Sequence, residues 1–218
     1  MGKNEILISL LVVSSLAWGQ DCVPSARKWR PSVTSPDGHY RVSSVFCSNQ
    51  TQERAFALVL GNLESGEHWI LHTFDRDATA LWSPDSRWIA INDYAGSDYT
   101  NNVLVSVDRN TPSVDLKERL LQSEPKQSVL KSDHLYLTAN EWKSDDEIEL
   151  LAYGHDSERG ISFCRCFRMS LKGEVQECSL PGGRDDEDYC VKVKMKKETG
   201  RPVVDSHPDS AGSHERNR

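Results

Sequence analysis

The densest run of side chains able to bind or react is Asn92-Asp93-Tyr94-Ala95-Gly96-Ser97-Asp98-Tyr99-Thr100-Asn101-Asn102. Its carboxylates and amides supply oxygens of the kind a calcium ion or a polar ligand takes, and Tyr94 and Tyr99 supply rings that stack on a sugar or a partner side chain. Asp93, Tyr94, Asp98 and Tyr99 are therefore the candidate binding residues. The bland account of the same stretch is a long hairpin loop made of ordinary turn residues. Catalytic patterns are fainter. Gly160-Ile161-Ser162-Phe163-Cys164 centres on a serine, but Cys164 replaces the closing glycine of a nucleophile elbow and the stretch alternates like a strand. The seven histidines occur singly, with no His-x-x-x-His pair and no Cys-His ligand spacing. No cofactor and no catalytic set is expected on these grounds.

The six cysteines stand at 22, 47, 164, 166, 178 and 190, and an even count in an exported chain favours disulfides. Leu171-Lys172-Gly173 reads as a three-residue hairpin loop with glycine in the left-handed position. Counting outward from Lys172 sets Cys166 opposite Cys178, and alternation puts Cys164 on the face of Cys166. A Cys166–Cys178 bridge is the resulting expectation. The rival is a zinc site from Cys164, Cys166, Cys178 and Cys190. Its Cys-x-Cys start and two gaps of eleven residues do not match the paired Cys-x2-Cys knuckles of common structural sites.

The export reading rests on residues 1–19: Lys3 near the start, an apolar stretch over 6–18, and small Ala17 and Gly19 at the cleavage positions. The mature chain is expected to begin at Gln20. The apolar stretch falls short of the roughly 20 residues a spanning helix needs, and no second such run follows. Lipid anchors fit poorly, because Ile6 stands where myristoylation wants Ser or Thr and Cys22 lacks a lipobox before it. The net charge is −7, which repels phosphate backbones and makes nucleic acid and anionic membrane poor partners. Lys192, Lys194, Lys196 and Lys197 alternate with Val191, Val193 and Met195, the pattern of a half-buried edge strand with lysines on its wet face. Asn49-Gln50-Thr51 is a glycosylation sequon.

Between residues 40 and 190 short apolar runs alternate with turn clusters, which is an all-β signature. Strands are expected over residues 41–47, 55–60, 68–74, 88–93, 103–107, 148–153 and 161–169. Helix is hinted only at 114–121 and 128–130, and Pro112 and Pro125 keep that hint short. The acidic run 184–188 reads as a solvated loop, and residues 198–218 are polar enough to be a disordered tail. The expected organisation is a signal over 1–19, one β-rich domain over 20–197, and that tail.

The β-hairpin units are introduced by similar words. Ser35-Pro36-Asp37-Gly38-His39-Tyr40 matches Ser83-Pro84-Asp85-Ser86-Arg87-Trp88, and Trp82 before the second copy has a counterpart in the worn third copy, Trp142-Lys143-Ser144-Asp145. A Pro-Asp corner turns the chain sharply with a fixed φ and an Asx bond, and the aromatic before it packs between sheets. Trp82, Trp88 and Trp142 are accordingly assigned to the core. The words resemble those of TolB-like, or PD40-type, β-propeller repeats over roughly residues 35–178. The resemblance implies an array of antiparallel hairpin blades and a partner-binding role. At some 40 to 50 residues a blade, the mature chain supplies three to four, and a closed propeller usually needs at least four. The alternatives are a blade hidden between 108 and 135, an incomplete or small array, or a β-sandwich. Two functions remain: a non-enzymatic exported module for a protein or carbohydrate partner, or a secreted hydrolase or lyase assembled from isolated Asp and His residues.

Overall fold

The computed structural model describes residues 21–23, 32–48, 54–97, 99–123, 128–132, 134–158, 160–180 and 190. The signal, the sequon, Asp98, the acidic run, the lysine-alternating stretch and the tail lie outside the described residues.

Three successive antiparallel meanders make up the fold. A short β1 (Asp21–Val23) precedes the first, which comprises β2 (Val33–Thr34), β3 (Tyr40–Ser48), β4 (Arg54–Asn62) and β5 (His68–Phe74). The second comprises β6 (Ala78–Trp82), β7 (Trp88–Asp93), β8 (Asn101–Ser106) and β9 (Val114–Asp115). The third comprises β10 (His134–Trp142), β11 (Glu147–Asp156), β12 (Ile161–Ser170) and β13 (Val175–Cys178). This is an all-β, propeller-like, open array of three blades. It is not a sandwich, because three sheets stack in succession where a sandwich has two.

The central blade shows why the sheets stack. Along β7, Ile89 and Ile91 join Val42, Leu58, Leu60, Phe74 and Trp82 in the core shared with the first blade. Ala90 points the other way, into the core with Leu104, Leu137, Ile148, Leu150 and Phe167 shared with the third. A strand covered on both faces needs no polar side, which is why Trp-Ile-Ala-Ile lacks alternation. The described residues of the span 108–135 hold no further blade. Val114 and Asp115 pair with β8, and α1 (Leu116–Ser123) follows, burying Leu116 and Leu120 one turn apart. Asp115 caps the helix, its Oδ1 accepting from the Glu118 amide at 2.8 Å.

The repeated words fold into repeated corners. The Ser35 hydroxyl donates to Asp37 Oδ1 at 2.6 Å and accepts from the Tyr40 amide at 2.9 Å. Ser83 makes the same pair of bonds to Asp85 and Trp88, at 2.6 and 2.9 Å. The left-handed position is Gly38 at φ 80° in the first copy and Ser86 at φ 62° in the second. The second copy departs from glycine to a purpose: the Ser86 hydroxyl accepts from the Asp37 amide of the preceding blade at 3.0 Å. The third corner is one residue shorter, with Trp142 facing Ile148 where Trp82 faces Ile89.

The corner tryptophans repeat a contact between blades. Trp82 Nε1 donates to the Val33 carbonyl at 3.3 Å, and Trp142 Nε1 to the Leu81 carbonyl at 3.2 Å. Each acceptor immediately precedes the corner position of the blade before. Both rings are buried.

Disulfides join Cys166 to Cys178 and Cys164 to Cys190, so the four cysteines weighed as a zinc set are oxidised. Cys47 is also disulfide-bonded, and the backbone of Cys22 faces it across the β1–β3 pairing. Among the described residues, no helix is long and apolar enough to cross a membrane.

Candidate functional site

The β7–β8 connection that carries the sequence-predicted site is shorter than expected. Asn101 and Asn102 belong to β8, opposite Asp93 and Asn92, which leaves residues 94–100 as the loop. Its base is buried and structural. Strand β10 pairs with β11 on one edge only, so the backbone groups on its other edge need partners. Asn92 takes both such groups of Ala139: its Oδ1 accepts from the Ala139 amide at 2.7 Å and its Nδ2 donates to the Ala139 carbonyl at 3.1 Å. Thr100 does the same for Leu137, its hydroxyl accepting from the amide at 2.8 Å and donating to the carbonyl at 2.6 Å. Asn102 Nδ2 donates to Asn92 Oδ1 at 2.8 Å, and Tyr99 forms a parallel bridge with Leu135. Side chains and backbone of the second blade thus cover every second residue of β10 from 135 to 139.

The four predicted residues separate. Asp93 is buried, its Oδ2 2.8 Å from His72 Nε2 on β5, between the first and second blades. Tyr94 is half-buried and lines a cavity. Tyr99 is 47% exposed, with its ring packed so closely on Gly96 that a Cβ there would lie 2.5 Å away. The Tyr136 hydroxyl donates to the Ser97 carbonyl, and its ring stacks on Tyr153 at 5.3 Å. Asn92, Thr100 and Asn102, which read as turn residues, are the ones the fold depends on. Their signal in the sequence is position: Asn92 and Asn102 stand near the ends of strands and Thr100 just before one, rather than at a loop tip.

The cavity beside Tyr94 has a volume of about 310 Å³ and lies where the three blades converge. The first blade contributes Val33, Val42, Ser44 and Leu58, the second Ala78, Thr79, Ala80, Leu81 and Asn92, and the third Thr138, Ala139, Asn140, Leu151 and Tyr153, with Cys190 beside them. Asn92 is fully engaged by the stitch. Asn140 Nδ2 donates to Glu149 Oε1 at 2.7 Å, and Glu149 also pairs with Lys143 at 3.0 Å, 3.2 Å from Lys143 to Glu141 completing the cluster. The hydrogen bond from Lys143 to Glu149 raises the lysine pKa against the opposing effect of burial. The Thr138 hydroxyl is buried with no hydrogen-bond partner among the described residues.

Blade, corner and stacking together define the chain as a β-propeller-like protein. No family model and no curated protein matches it. Among solved structures it is similar to the β-propeller domain of the Trilobed protease from Pyrococcus furiosus (TM-score 0.46, 12% identity, 69% of this chain and 42% of that one). It is also similar to TolB from Acinetobacter baumannii (0.41, 11%, 70% and 33%) and to the Pyrococcus horikoshii acylaminoacyl peptidase (0.43, 11%, 68% and 24%). The chain spans less than half the length of each.

Proposed function

We propose that the chain is an exported, non-enzymatic binding module that presents the loop over residues 94–100 to a protein or carbohydrate partner. Tyr99 is the principal contact, Tyr94 belongs to the same loop, Asp98 precedes Tyr99 in the sequence, and Asp93 ends the strand that leads into the loop. The observation that carries this reading is the state of Tyr99: a large ring, 47% exposed, yet held by the Leu135 bridge, by Gly96 and by the buried Thr100 that follows it. A ring fixed before binding loses little entropy when a partner covers it, which is what contact tyrosines provide. Export accords with the oxidised cysteines. The test compares wild type with Tyr99→Ala on a glycan array and in crosslinking to proteins of its own compartment. Selective loss of one ligand at unchanged melting temperature supports the reading; undiminished binding by the variant rejects it.

A second reading draws on the His72–Asp93 pair. A buried carboxylate 2.8 Å from an imidazole orients the ring as a general base requires, and it would serve a hydrolase or lyase. Wild-type turnover on a panel of esters, peptides and uronates that disappears in His72→Gln would favour it over the binding module.

A further inference from the structure

We propose that the cavity at the convergence of the blades is a second binding site, for a neutral, mainly apolar small molecule that carries a carbonyl or hydroxyl group. Its volume of about 310 Å³ lies at the lower end of the roughly 300–1,000 Å³ range of ligand pockets. Among the described residues, none of the lining side chains carries a charge at neutral pH: Leu58, Leu81 and Leu151 supply aliphatic wall, Tyr94 and Tyr153 supply rings, and Cys190 is oxidised. An ionised ligand would leave water with no counter-charge to meet it, so the site selects against charge. The polar groups are nearly all spoken for. Asn92 is saturated by Ala139, Thr79 and Asn102, and Asn140 is held by Glu149. Thr138, 8% exposed, differs from them: its buried Oγ1 lacks a partner among the described residues.

A buried hydroxyl without a partner is disfavoured in a finished fold, and it both donates and accepts. It offers a ligand in this apolar chamber a directed bond from a rigid position. The backbone of Thr138 is committed to β11 opposite Leu151, so the hydroxyl is held on a rigid strand rather than a loop. The arrangement favours a compact ring system whose single polar atom reaches Thr138.

Fluorescence titration of the full chain tests this. Neutral aminoanthracene should light up on the protein and be displaced by tetralone, a bicyclic ketone, while anthracene carboxylate should bind at least about ten-fold more weakly. Thr138→Val, which keeps the shape and removes the hydroxyl, should weaken tetralone about ten-fold and leave naphthalene unchanged. Ala80→Phe should fill the chamber and abolish binding of aminoanthracene, tetralone and naphthalene without lowering the melting temperature; Ala80→Leu serves if the larger ring prevents folding. Tyr99→Ala should bind the probes as wild type does, which separates this site from the loop surface. Absence of probe binding by wild type, equal affinity for the carboxylate, or indifference of tetralone to Thr138→Val would each overturn the proposal.

Discussion

At the corners, single carboxylates do the work of fixing the chain direction. The Ser35 hydroxyl and then the His39 amide hold the Asp37 carboxyl below its ordinary 3.8. Burial pushes Asp85 up, but the Ser83 hydroxyl and Arg87 outweigh it and the net shift is again downward. A folded pKa below the unfolded one means that these groups contribute stability above the ordinary value and lose it as pH falls through the lower folded value. Replacing both by Asn should therefore cost most at neutral pH, and the gap to wild type should close as pH drops below 3.8. Thermal melts down the acid range check this; a gap that stays constant would remove the ionised corner as its cause. The serine and aspartate of the corner were legible because the word recurs. Ser86 was not: Gly38 announces a left-handed residue in the first copy, whereas a serine at φ 62° is intelligible only once the Asp37 amide of the neighbouring blade is seen beside it.

Strand by strand, legibility followed uninterrupted apolar runs bounded by turn words, and burial did not decide it: β10 is largely buried yet escaped notice, while β5 is mostly half-buried yet was found. The span of β5 and that of β7 match their expected limits of 68–74 and 88–93, since apolar runs bounded by turn words have few other readings. Strands β6 and β10 escaped notice. The first is only five residues of Ala-Thr-Ala-Leu-Trp, and the second ends in Ala-Asn-Glu-Trp with a register shift between Ala139 and Glu141. The start of β8 was placed late because two asparagines are poor strand formers in isolation. The Asn102 amide instead braces Asn92, whose own amide holds both backbone groups of Ala139 in the third blade. Asn92→Leu keeps the volume and removes the bonds to both backbone groups of Ala139, leaving these buried and unmet. The expected cost is about 3 kcal/mol, read from urea unfolding. A loss below about 1 kcal/mol would mean that packing alone docks the two blades.

Across the whole molecule the cross-links sit at the ends of the array. The second blade contains no cysteine; it is packed on both faces. The first has Cys47 near Val45 and Ala57, away from the central core, and the third has Cys164, Cys166, Cys178 and Cys190 in a cluster with Leu151, Tyr153 and Leu180. A terminal blade has one neighbour where an internal one has two, and a stack of this kind needs its ends closed. On the third blade, Leu180 and the Cys164–Cys190 bridge close the face that would meet another sheet. The double variant Cys164→Ser, Cys190→Ser opens a loop with a sequence separation of 26. Its expected cost is about 3 kcal/mol, accompanied by new binding of a hydrophobic dye to the uncovered face. Unchanged stability and no dye uptake would show that the face is closed without the bridge. How many blades the chain supplies was not legible. The segment over 108–135 was weighed as a hidden blade although its helix was hinted at 114–121, and only packing shows that Leu116 and Leu120 join the existing core.

The amide hydrogens of β10 consequently keep two different clocks. Those of Leu137 and Ala139 are held by Thr100 and Asn92, so they exchange with deuterium when the second and third blades part. Those of the alternate residues between them are held by β11, and they exchange only when the third sheet itself unzips. A single strand, read residue by residue in heavy water, would record the opening of the array on its odd positions and the melting of a blade on its even ones.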